Sequence, residues 1–169
     1  MIGGDILLTT AELALALGGF GGVVAAFMGN RDRWDAMAVV RFRALIVISL
    51  SSALLSLIPF ALYHAGFTDG VLWTTASSIA AAFVAACVIW MVLYARVPAI
   101  THGSRSWSLI AMFMASGAVV VNAMNALSLG FSQSFTGYFC ALLLLLVLGG
   151  LYFFRLIALS GPQSKGSDD

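Results

Sequence analysis

Five long apolar stretches, separated by short polar ones, make up most of this chain and leave its backbone few ways to fold. They run over residues 7–28, 44–63, 71–95, 107–129 and 138–156. Each is close to the ~20 residues a helix needs to cross a hydrocarbon layer. In such a layer every backbone N–H and C=O must be satisfied internally, so only helices or a closed barrel can form. Barrel strands would alternate in polarity over about ten residues, whereas residues 80–86 and 141–148 are apolar at every position. The expected fold class is therefore all-α and integral to a membrane. It is a single domain over residues 1–159, built as a bundle of five transmembrane helices. Residues 160–169 hold Gly, Pro, Ser and charge without apolar periodicity and are expected to be a disordered tail. Composition agrees: 9% of residues are charged, against roughly a quarter in soluble domains.

The charges give the bundle a direction. All eight Lys and Arg residues (Arg31, Arg33, Arg41, Arg43, Arg96, Arg105, Arg155 and Lys165) follow the first, third or fifth stretch. Random placement would segregate them so completely in roughly 1% of cases. The positive-inside rule then predicts an external N-terminus and a cytoplasmic C-terminus. Tyr63, Trp73 and Tyr138 fall at the expected outer boundary, and Trp34, Tyr94, Trp107 and Tyr152 at the inner one, as belt aromatics do. Asp35 before residues 36–43 reads as an N-cap, which would start the second helix in the interface.

Orientation sets the depth of each polar residue. Glu12 is the only acidic residue inside a stretch, about five residues or ~8 Å from the outer boundary. Asn125 is expected at a similar depth and Asn122 three residues deeper, with Thr74, Ser78 and Ser56 in the same outer layer. These six residues are the candidate ligand or ion site. One reading is a polar mouth in which Glu12 attracts cations or takes up protons. The other is a protonated, hydrogen-bonded Glu12, with the asparagines and serines holding helices together. Ser49, Ser52 and Ser56 are expected to share one face. Pro59 frees the carbonyl of Leu55, giving either a static kink or a hinge.

Gly18 and Gly22 form a GxxxG spacing after Ala14, so close helix packing is expected there, and again at Gly149 and Gly150. A nucleotide-binding reading would require a strand–loop–helix context that this sequence lacks. Neither a cofactor nor a metal is expected. His64 and His102 are assigned to opposite faces, no stretch contains Lys, and Cys87 and Cys140 read as small buried hydrophobes. A net charge of +1 gives no basic face for nucleic acid. No nucleophile–base pair points to an enzyme.

The run TAELALALGGFGGVVAAF at residues 10–27, with RFRALIVISLSSALLSLIPF at residues 41–60, resembles small bacterial polytopic membrane proteins of uncharacterised function. The resemblance covers the first two helices. It implies a helical fold in the bacterial inner (cytoplasmic) membrane and supplies no activity, ligand or site residue.

Two functions fit these residues. One is an oligomeric channel or small-ion or proton transporter, with the outer polar layer around Glu12 as its entrance. The other is a non-catalytic accessory or assembly subunit of a larger membrane complex. The expected surroundings are the lipid bilayer and either further copies of the chain or a larger complex.

Overall fold

The computed structural model describes residues 3–27, 36–94 and 105–158. They form five helices: α1 (Gly4–Phe27), α2 (Ala36–His64), α3 (Asp69–Tyr94), α4 (Arg105–Ala126) and α5 (Phe135–Ala158). Each is long and apolar enough to cross a membrane. The basic loops at residues 28–35 and 95–104, the Asp35 cap and the tail at 160–169 lie outside the described residues.

Local chemistry explains where the helices stop. After α2, Gly66 takes a positive φ of 85°. Its N–H donates to the Tyr63 carbonyl and that of Phe67 to Leu62, the paired bonds of a left-handed C-terminal cap. After α4 the same pair is made by Ser128, donating to Asn125, and Leu129, donating to Met124. Here the left-handed residue is Ser128, at φ 59°, where glycine is the usual choice. The expected fourth span reached residue 129, but this cap ends the helix at Ala126.

α5 packs against all four other helices, whereas α1 is held chiefly by α2 and α5. The core is made of small and branched residues. Leu7, Leu55, Leu72, Ala76, Ala80, Ala118, Ala141 and Leu142 form one cluster, and Leu45, Ala111, Leu148 and Leu156 belong to another. Only 22–39% of each apolar span is buried inside the chain. The outward residues are apolar as well, Phe27, Phe113 and Phe154 being 86%, 81% and 71% exposed. In water such a surface would be an aggregation liability, so five helices of this kind suggest a multi-pass membrane protein.

The inward stripe of α1 is Leu7, Ala11, Ala14, Gly18 and Gly21, repeating every three or four residues. A Cβ on Gly18 would lie 3.2 Å from the Ser49 Cβ, and one on Gly21 would lie 2.5 Å from Leu45 Cδ2. α1 therefore packs its glycines against α2 of its own chain. Within the chain this packing takes Gly18 and Gly21 rather than Gly22. Nothing lies within 4 Å of a Cβ on Gly22, because the contact follows the i, i+4, i+7 stripe that selects Gly21. On α5, Gly149 faces Ile48, Leu17 and Ser49, while Gly150 meets nothing within 4 Å. Gly18 and Gly149 thus meet Ser49 where α1, α2 and α5 converge.

Candidate functional site

The structure does not bring the six expected site residues together. Asn122, Asn125 and Ser56 are buried in the bundle, whereas Glu12 and Ser78 are exposed on the surface. Glu12 lies on α1, whose neighbours are α2 and α5, while the asparagines lie on α4. Sequence gives depth along a helix but not the rotation of the helix about its axis, and rotation separates these groups. α1 starts at Gly4, so Glu12 lies about 12 Å along the helix from its first residue.

Asn125 acts as a clamp. Its Nδ2 donates to Ser77 Oγ at 2.8 Å and to the Ser134 carbonyl at 3.1 Å. Its Oδ1 accepts from the Ser134 N–H at 3.0 Å. One side chain thereby ties α4 to α3 and to the residue that precedes α5. The close fit requires Gly137, where a Cβ would lie 2.6 Å from Asn125 Cγ and Oδ1. With three bonds to protein, Asn125 is engaged in holding helices together. Asn122 is less satisfied. Its Nδ2 donates to the Ala118 carbonyl of its own helix, and its buried Oδ1 has no partner.

The hydroxyls of the expected layer bond within their own helices. Ser56 donates to the Ser52 carbonyl, Thr74 to Gly70 and Ser78 to Thr74. Of the α3 polar run, Ser77 is the one that is fully buried. A stripe reading would have selected it, since Trp73, Ser77, Ala80 and Val84 repeat every three or four residues and are all buried.

The carbonyl of Leu55, left without its helical donor by Pro59, accepts a hydrogen bond from the Tyr138 hydroxyl of α5. Tyr138 is fully buried and Trp73 is 5% exposed. Their rings lie 5.9 Å apart, and Phe135 meets Trp73 at 5.6 Å. The expectation that Trp73 and Tyr138 are belt anchors at the boundary is therefore corrected: both are core residues. Only the structure shows that the tyrosine supplies the missing donor.

What remains outside is a second stripe on α1, opposite the packed one: Asp5, Thr9, Glu12, Ala16, Gly19 and Val23, all exposed. Nothing lies within 4 Å of a Cβ on Gly19. Beside the stripe an open groove of about 280 Å³ runs between α1 and α5, lined by Asp5, Ile6, Thr9, Thr10, Leu13, Phe139, Leu143 and Leu146. Among the described residues no three His, Cys, Asp or Glu side chains group as metal ligands would.

Comparison with protein-family models, curated proteins and solved structures finds no match to this chain.

Proposed function

We propose that this is a multi-pass protein of the bacterial inner membrane, oriented with its N-terminus outside, and that it serves as a non-catalytic accessory subunit docking through the outward stripe of α1. The one-sided Lys and Arg residues support the orientation, and the resemblance of the first two helices supports the location. The observation that carries the docking is Glu12, exposed on an apolar helix and turned away from the chain's own core. A carboxyl facing hydrocarbon costs up to about 3 kcal/mol near mid-membrane, a cost that falls when a neighbouring helix supplies a donor. Ala16 and Gly19, on the same stripe, let such a helix come close. In the interior, Asn125 with Ser77 and Tyr138 with the Leu55 carbonyl join helices, while Ser56 and Asn122 donate within their own.

A second reading is favoured by Asp5 and Thr9, which share the stripe with Glu12. Several copies arranged around their α1 helices would place these polar groups on a common axis, as a cation pathway between subunits requires.

Photo-crosslinking in intact membranes tests both. A crosslinker replacing Ala16 is expected to yield one discrete adduct that disappears with Glu12→Leu. One replacing Val47, which is exposed on α2, is expected to yield none. An adduct at twice the 17.8 kDa chain mass, together with cation flux in liposomes that Glu12→Gln reduces, would favour the second reading. No adduct at position 16 would refute both.

A further inference from the structure

Two ridges face each other across the groove between α1 and α5. On α1 the ridge is Ile6, Thr10 and Leu13, and on α5 it is Phe139, Leu143 and Leu146, each with the i, i+4, i+7 spacing of one helix face. Gly3 packs against the Phe135 ring and Gly149 against Leu17, so the two helices run parallel from the same end of the bundle. The groove holds about 280 Å³ and extends about 12 Å along α1 from Asp5 to Leu13. Its walls are apolar, because the hydroxyl within them, that of Thr10, donates to the Ile6 carbonyl. Ile6, Leu13 and Leu143 are 46%, 52% and 38% exposed, so the groove opens on the outer surface of the bundle.

The polar groups lie at one end of it. Asp5 and Thr9, both exposed, flank the mouth at the start of α1. The helix dipole favours an acid in a first turn, as at Asp69 of α3, but it does not choose the side of the helix, and Asp5 falls on the groove. The Thr9 hydroxyl donates to the Asp5 carbonyl and keeps its lone pairs as acceptors. Neither wall supplies a cation there: α1 contains no Lys or Arg, and Arg155 of α5 is in its last turn.

Size and polarity decide the occupant. A helix is about 10 Å or more across, so 12 Å of one fills roughly 900 Å³, several times the groove. An unbranched acyl chain matches its length, its narrowness and its apolar walls. The mouth then selects the headgroup. A carboxylate beside a hydroxyl suits a primary ammonium, whose N–H groups all donate, and repels a headgroup whose only charge is its phosphate.

We propose that the groove between α1 and α5 binds an acyl chain of an amine-bearing phospholipid, phosphatidylethanolamine, with the headgroup ammonium held by Asp5 and Thr9. This rests on the chain lying in a bilayer. It is independent of docking through α1, which turns on Glu12, Ala16 and Gly19, none of them in the groove.

The test titrates the full chain in neutral detergent with phosphatidylethanolamine, phosphatidylcholine and phosphatidylglycerol of matched chains, counting bound lipid by native mass spectrometry. Phosphatidylethanolamine is expected to bind roughly threefold more tightly than either reference. Asp5→Asn, at an exposed position, is expected to abolish that preference with unchanged helix content. Leu143→Trp fills the groove and is expected to weaken phosphatidylethanolamine roughly tenfold, by displacing part of the chain. Leu54→Trp, at a 63% exposed position on α2, is expected to change nothing. Equal binding of the three lipids, a preference that survives Asp5→Asn, or equal effects of Leu143→Trp and Leu54→Trp would overturn the proposal. So would a co-purifying protein, in place of lipid, that Leu143→Trp removes, since the groove would then belong to a neighbouring helix. The crosslink at position 16 and the lipid preference can fail separately, which keeps the docking and the groove distinguishable.

Discussion

Replacing Tyr138 by Phe removes one oxygen atom, and the structure states what that atom does. Pro59 has no N–H, so the Leu55 carbonyl four residues earlier lacks its helical donor. The Tyr138 hydroxyl donates to it instead, with both residues buried. Without the hydroxyl, the carbonyl is left unsatisfied in an apolar interior. That penalty is about 1–3 kcal/mol in proteins generally, and hydrogen bonds between membrane helices reach about 1.7 kcal/mol in double-mutant cycles. A cost near 1.5 kcal/mol is therefore expected for Tyr138→Phe, about a tenfold shift in the folding equilibrium. The decisive comparison is the same change in a Pro59→Ala background. An alanine there restores an N–H at the position that bonds Leu55, so the carbonyl keeps one partner and losing the second costs only about 0.5 kcal/mol. The two substitutions should thus be coupled by about 1 kcal/mol, a clear departure from the additivity of independent sites. Reversible unfolding in mixed micelles, titrated with sodium dodecyl sulfate, measures all four proteins. An equal cost of Tyr138→Phe in both backgrounds would refute the reasoning.

Two further comparisons probe the packing. Gly21→Ala drives a Cβ to within 2.5 Å of the buried Leu45 and is expected to cost about 1–3 kcal/mol by overpacking. Gly22→Ala meets nothing within 4 Å and should stabilise by up to about 1 kcal/mol through helix propensity, so equal effects in the same unfolding assay would contradict the assigned stripe. Asn125→Ala removes the bonds to Ser77 and Ser134 and is expected to destabilise by about 2 kcal/mol. Asn122→Leu removes a buried oxygen without a partner and should be neutral or stabilising within about 1 kcal/mol; a larger loss than for Asn125→Ala would reverse these roles.

Much of the architecture is legible in the residues, because hydrocarbon admits so few backbone solutions. Apolar length alone yields five helices and their approximate bounds. Gly66 signals the end of α2 openly. Ser128 does not, since nothing about a serine announces a left-handed conformation, and α4 ends earlier than its apolar run suggests. The candidate site is less legible. Glu12, the asparagines and the α3 hydroxyls are expected in one layer from their positions along the helices, and position along the axis is all that an apolar span reveals when its outward and inward faces are equally greasy. Tyr138 and Trp73 look like boundary aromatics for the same reason, since a ring at that depth fits both a headgroup belt and a core.

By itself, then, the sequence determines quantities that run along the chain: how many helices, where along each one a polar group falls, and which helix ends carry the cations. Those quantities run along the helix axis, where one residue advances about 1.5 Å whatever its neighbours are. The tertiary structure decides everything that depends on rotation about that axis. It turns Asn125 inward to Ser77 and Ser134, gives the Leu55 carbonyl to Tyr138, seats Arg155 over the Trp107 ring, and leaves Glu12 facing out. With apolar residues on every side of each helix, only packing against the others selects which face is buried.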